Sequence, residues 1–172
     1  NRYYFYMLLT LGATLGVFLS KDLFTTFIFF EIMSFTSYVL VIHEESDTAF
    51  KAAGTYLAVA VIGGLVTLMG LFMLYHVCGT LQINELVNAV SAAKNPTMFY
   101  IIGVLVLFGF GAKAGMFPMH IWLPEAHPVA PAPASALLSC ILTKSGVYGI
   151  IVLSCVIFLH DPNWGMLILI LG

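Results

Sequence analysis

Charge is scarce in this sequence. Only 8% of its 172 residues are Asp, Glu, Lys or Arg, against roughly 25% in soluble domains. With 61% hydrophobic residues and a mean hydropathy of +1.04, there is too little polar surface to coat a water-soluble globule. The composition is that of an integral membrane protein. The net charge of −2 and the lack of any basic run argue against a nucleic-acid or acidic partner. Cysteine is also rare. Cys78, Cys140 and Cys155 are far apart and form no CxxC, so neither a zinc site nor a disulfide framework is indicated. They read as small buried packing residues. No HExxH or related metal spacing occurs, and no GxGxxG exists to cradle a dinucleotide. The first segment lacks the basic flank and cleavage site of a signal peptide. The chain starts without Met and stops within an apolar run, as expected of a piece of a longer protein.

What is present is a series of long apolar segments. About 18–20 apolar residues cross a bilayer core, and residues 3–20, 23–42 and 49–77 are each long enough. Tyr3, Tyr4 and Tyr6 crowd the first start, as at a membrane interface. Gly12 and Gly16 form a GxxxG pair, and Gly63, Gly64 and Gly70 point to tight packing in the third segment. Lys21 and Asp22 mark a short turn, and in the longer turn 43–48 Asp47 or Thr48 is positioned to cap the next helix. Residues 79–96 alternate apolar and polar side chains, which predicts a short amphipathic helix or interfacial loop with Glu85 and Lys94 solvated. Segment 97–126 is too long for one straight crossing. Gly109, Gly111 and Gly115 surround Lys113, and Pro118 and Pro124 follow. Proline lacks a donor and clashes with the preceding turn, so the helix is predicted to break near 113–118, with Gly111, Gly115 and Pro118 as break residues. Residues 128–134 cannot be regular helix interior. Helix resumes over 133–159, His160 falls in the last turn, and 164–172 opens a sixth segment. The predicted fold is all-α integral membrane: five transmembrane helices, one broken, plus the start of a sixth, in a single membrane domain over 1–172. Lys and Arg are shared equally between the two sets of turns, so orientation is not readable.

Three ionisable residues sit within apolar spans: Glu31, Lys113 and Lys144. Glu31 lies about 13 Å along its helix from Asp22. A charge there costs at least about 2.5–3.5 kcal/mol on insertion scales and usually faces a bundle interior or cavity. Ser34 at i+3 shares its face, and Ser37 and Tyr38 extend it. The alternative is a protonated structural glutamate. Lys113 at a helix break is a site candidate, because broken helices at membrane depth line cavities; its alternative is a lysine snorkelling from a helix end. Lys51 near a helix start either snorkels or turns inward toward Glu31. His120 and His127 flank the segment HIWLPEAH. Histidine titrates near neutral pH, so a proton relay fits them better than a metal; simple interfacial hydrogen bonding is the other reading. If the spans pack with these groups facing one another, they form a buried polar line along which protons pass.

The stretch GFGAKAGMFPMHIWLPEAHPVAPAPASALLSCILTKSGVYGI resembles the antiporter-like membrane subunits of respiratory complex I, of membrane-bound hydrogenases and of Mrp-type cation/proton antiporters. The shared pattern is a lysine in a broken helix, FPxHxWLPxAHxxAP, then SALL and KxGxYG. FFEIMSFTSYVLV resembles the family's glutamate-bearing helix. The hydrogenase-type branch resembles it most by motif. The resemblance implies two inverted five-helix repeats, of which this chain is the first plus the start of the second. It implies that Glu31 is the helix glutamate, Lys113 its partner, Lys144 the central lysine, His120 and His127 the histidines of the connecting motif, and Lys51 a basic position of the following helix. It implies a multi-pass protein of a prokaryotic cell membrane.

The favoured function is a proton-translocating subunit of a redox-driven complex, of the NADH:quinone oxidoreductase or hydrogenase type. It would have no cofactor of its own, and flavin or iron–sulfur clusters would sit on peripheral redox subunits beside the other membrane subunits. The second reading is a sodium/proton antiporter subunit, since Glu31 and nearby hydroxyls supply some of the oxygens sodium wants. A membrane scaffold is the third; an intramembrane hydrolase lacks any visible nucleophile–base pair. A translocating role predicts that Lys144→Ala abolishes proton pumping while the complex still assembles; equal pumping in vesicles would support the scaffold.

Overall fold

The structure, a computed structural model, describes residues 2–93, 96–159 and 161–171. Helices α1 (Arg2–Leu19), α2 (Leu23–Val41) and α3 (Asp47–Cys78) follow one another through short turns. A short helix α4 (Ile83–Ala92) leads to α5 (Pro96–Ala114). Beyond it come a 3₁₀ turn (Met119–Ile121), α6 (Trp122–Val129), α7 (Ala132–Leu137), a π-helical turn (Leu138–Leu142), α8 (Thr143–Ile157) and α9 (Pro162–Leu171). Five units are long and apolar enough to cross a membrane: α1, α2, α3, the broken unit Pro96–Val129, and Ala132–Ile157. The chain is an all-α, multi-pass membrane protein. Lys94, expected as a solvated charge, and His160, expected in a turn, lie outside the described residues.

Three local expectations are corrected. The cap of α3 is Ser46, not Asp47 or Thr48: its extended backbone lets Oγ accept from the Ala49 N–H at 3.2 Å. The proline-rich segment is more helical than expected, because most of its prolines fall where a missing donor costs little. Pro124 is in the first turn of α6, where N–H groups have no intrahelical acceptor. Pro131 and Pro133 sit at the cap and first turn of α7; Pro128 is the exception, inside α6 one residue before its end, where it forfeits a single bond of the last turn. Cys140 and Cys155 are exposed on the outer faces of their helices rather than buried, and Cys78 is intermediate.

Amphipathic α4 buries Leu86 and is pinned to the α1–α2 turn. Leu23 N–H donates to Leu81 O at 3.0 Å, and Ile83 N–H donates to Lys21 O at 3.1 Å. At one edge the Arg2 guanidinium pairs with Glu45 at 2.5 Å, and its hydrogen bond holds that exposed carboxyl below its usual range. Elsewhere the Tyr100 hydroxyl donates to Asp161 and does the same.

The bundle is knit chiefly by α3 against α5, α1 against α2, and α5 against α8. In the first of these, glycine is needed. A Cβ on Gly63 would lie 3.1 Å from Ala112 Cβ, and one on Gly109 would lie 2.9 Å from Thr67 Cβ. Helix backbones therefore meet with almost no side chain between them, as small residues allow in membranes. Of the GxxxG pair only Gly16 packs, against Phe29; Gly12 faces open space. The α1–α2 contact carries a buried hydrogen bond from Thr10 to Thr36 at 2.9 Å.

The break in the fourth unit falls within the expected 113–118 window. Gly111 stays within α5, Gly115 adopts a left-handed φ of 80°, and Pro118 precedes the 3₁₀ turn. The Met116 N–H reaches back to Gly111 O at 2.9 Å, the six-to-one bond of a Schellman cap. The Trp122 indole donates to Ala112 O at 2.8 Å. Two carbonyls at a helix end within the bundle are thus satisfied, as apolar surroundings require. At Gly115 the left-handed backbone costs any side chain about 1–2 kcal/mol, and its Cβ would press on Leu123. Gly115→Val should lower the thermal stability of the detergent-solubilised protein by at least that amount, read as a fall in unfolding temperature.

Candidate functional site

The break sets Lys113 in the last turn of α5, its side chain directed into the bundle and only 3% exposed. A cation here benefits from the negative end of the α5 dipole. That is too little to offset desolvation, so the charge needs close acceptors. Two hydroxyls supply them. Lys113 Nζ donates to Ser34 Oγ on α2 at 3.0 Å and to the Tyr56 hydroxyl on α3. Tyr56 in turn shares a hydrogen bond with Ser37 Oγ at 2.5 Å. Ser34, Ser37 and Tyr56 are all buried. The Tyr56 ring stacks edge-on against Trp122 at 5.0 Å, so the residue that ties α6 to α5 also holds the tyrosine. A cavity of about 10 Å³, lined by Phe30, Tyr56, Ala60, Lys113 and Trp122 among others, adjoins this centre. It has about the room one water needs.

Glu31 lies one turn before Ser34 on α2 and is half-buried. Its Oε1 is buried without any hydrogen-bond partner. Glu31 stands one turn from the serine that Lys113 touches, yet no ion pair joins it to Lys113; among the described residues the ion pair present is Arg2–Glu45. The direct Glu31–Lys113 contact expected from sequence is therefore replaced by contacts to hydroxyls. The carboxylate instead rests on the α3 backbone, where a Cβ on Gly64 would lie 2.8 Å from Glu31 Cδ.

The remaining candidates do not join this centre. Within this chain Lys144 and Lys51 are both exposed; Lys51 does not turn inward toward Glu31, and among the described residues no buried line connects Lys144 to the Lys113 centre. His120 is exposed and borders an apolar groove of about 850 Å³ between the break, α8 and α9. His127 is half-buried, with Nδ1 hydrogen-bonded to Ser135 Oγ at 2.8 Å, which ties α6 to α7. Sequence reasoning passed over Tyr56 and Trp122. A signal for Tyr56 was present: the buried stripe of α3 runs through Ala49, Ala52, Ala53, Gly63, Gly64, Thr67 and Gly70, and Tyr56 is its one polar aromatic. Among the described residues no group of His, Cys, Asp or Glu is arranged to hold a metal ion.

The Gly64 contact is directly testable. Gly64→Ala should destabilise the protein by about 1–3 kcal/mol through overpacking. Because the clash is with the Glu31 side chain, the cost should shrink in a Glu31→Ala background, giving a non-additive double-mutant cycle in thermal unfolding.

The chain as a whole resembles known proteins. The chain is 34% identical, over its whole length, to a Na(+)/H(+) antiporter subunit of Alkalihalophilus pseudofirmus, covering 36% of that protein. It is 30% identical to hydrogenase-4 component B of Escherichia coli over 98% of the chain and 25% of that protein. It therefore spans between a quarter and about a third of the length of these relatives. The branch singled out by motif is represented, but the antiporter relative aligns at the higher identity. The Mrp complex from Dietzia sp. contains a chain that superposes with a TM-score of 0.87 at 29% identity, over 96% of this chain and 31% of that one. Residues 20–172 match the transmembrane family of NADH:quinone oxidoreductase and Mrp antiporter subunits. With a buried lysine at a broken helix, a glutamate-bearing helix beside it and this match over most of its length, the chain belongs to that family.

Proposed function

We propose that the chain is part of a proton-translocating membrane subunit in which Lys113 and Glu31 carry proton-linked charge through the apolar layer. The observation that supports this most is Lys113 itself. A structural lysine at a helix end would reach the interface, whereas this one is buried among hydroxyls, one of them a helical turn from a carboxylate. A group so placed changes its proton affinity when its neighbours move, which is what a proton carrier requires. On this reading Lys144 receives protons from the Lys113 centre across the α8 surface, with the rest of a longer subunit covering that surface. His120 and His127 line the approach, and Lys51 tunes the field from the membrane edge. The subunit would work beside other membrane subunits, in a prokaryotic cell membrane.

Two energy sources fit such a centre. One is a redox reaction in peripheral subunits, as the hydrogenase relative's name suggests. The other is exchange for a cation, which the names of the antiporter relatives favour. Vesicles holding the whole complex separate them. Redox driving predicts a pH gradient that forms only with an electron donor; antiport predicts that added sodium dissipates an imposed gradient without one. Under either, Glu31→Gln should lower proton transport at least tenfold with assembly intact. Unchanged transport by Glu31→Gln would remove the basis of the reading.

A further inference from the structure

Lys113 is held by neutral oxygens although a carboxylate stands nearby with a buried oxygen that has no partner. Coulomb attraction in an apolar medium would favour direct contact, so the hydroxyls must form a well-built competing site. Their geometry fits that demand. Ser34 and Glu31 are three residues apart on α2 and so lie on one face, the face that Lys113 meets at Ser34. The acceptors are fixed. Ser34 Oγ also donates to Phe30 O at 2.9 Å, and Ser37 Oγ to Met33 O at 2.7 Å. Tyr56 is held by Ser37 at one end and by Trp122 against its ring. Each hydroxyl donates its proton to a fixed neighbour, or shares it within the cluster, and turns a lone pair toward the ammonium.

We infer that Ser34, Ser37 and Tyr56 form a hydroxyl station that holds the Lys113 ammonium off the Glu31 carboxylate, with Tyr56 as its positioning residue. The station keeps Lys113 from being trapped in a tight ion pair. Transport then alternates between a lysine docked on hydroxyls and a lysine docked on Glu31. Ser37 does not touch Lys113; it acts by orienting the Tyr56 hydroxyl. The inference rests on the function proposed above and adds to it the group that opens the pair.

The test uses the full complex in membrane vesicles, with proton transport and subunit content both measured. Tyr56→Phe keeps the ring against Trp122 and deletes only the hydroxyl. It should lower transport about tenfold at unchanged subunit content, in keeping with losing one hydrogen bond to a charged group. Ser34→Ala should do the same, and Ser34→Thr, which restores a hydroxyl, should transport better than Ser34→Ala. A packing role predicts the reverse order at position 34, because threonine overfills a buried serine site. Wild-type transport by Tyr56→Phe, or Ser34→Ala outperforming Ser34→Thr, would overturn the station. If those results come with an inactive Glu31→Gln, the proposed function stands and only the station falls. If Glu31→Gln also transports normally, both fall.

Discussion

A lysine ammonium buried in a bilayer-spanning bundle must find acceptors, and much of this structure follows from where Lys113 finds them. The helix that carries it ends one residue later, at Ala114, where Gly115 turns left-handed. That end exposes carbonyls, which the Met116 amide and the Trp122 indole satisfy. Closing the helix end therefore brings Trp122 to the lysine. Trp122 then supports Tyr56, and Tyr56 is one of the acceptors. Backbone termination, ring packing and charge solvation form a single chain of contacts.

The same constraint explains the glycines. Hydroxyls on α2 and α3 reach Lys113 only if α3 and α5 approach backbone to backbone, which Gly63 and Gly109 permit. Gly64 opens the adjoining space, and Glu31 fills it. A strong ion pair in low dielectric stabilises one arrangement at the expense of motion, and breaking one is costly. Splitting the two charges across a neutral hydroxyl cluster lowers the difference between paired and separated arrangements. A carrier that must change partners works best when that difference is small.

The spans, the helix break and the amphipathic α4 were legible in sequence because each follows from one-dimensional signals: apolar length, glycine and proline placement, and alternation. Glu31 and Lys113 stood out because charge is rare in such segments. Their relation to each other was not legible. Both were expected to pair directly, and the hydroxyls that intervene belong to residues common in any membrane helix. Tyr56 acquires meaning only when α3 is laid against α5. The side of α3 on which Lys51 lies was equally hidden, since hydropathy averages over all faces of a helix. The proline-rich connector was read as non-helical from composition. Its helical turns depend on the register of each proline relative to a helix start, which composition does not carry.

The central claim is that the charge on Lys113, and not the volume of its side chain, is what the surrounding structure serves. Lys113→Met keeps the length and removes the charge. Proton transport by vesicles containing the assembled complex with this substitution is the most direct measurement. The account predicts transport reduced to background with normal subunit content. Transport at the wild-type rate would show that the lysine is a packing element and would contradict it.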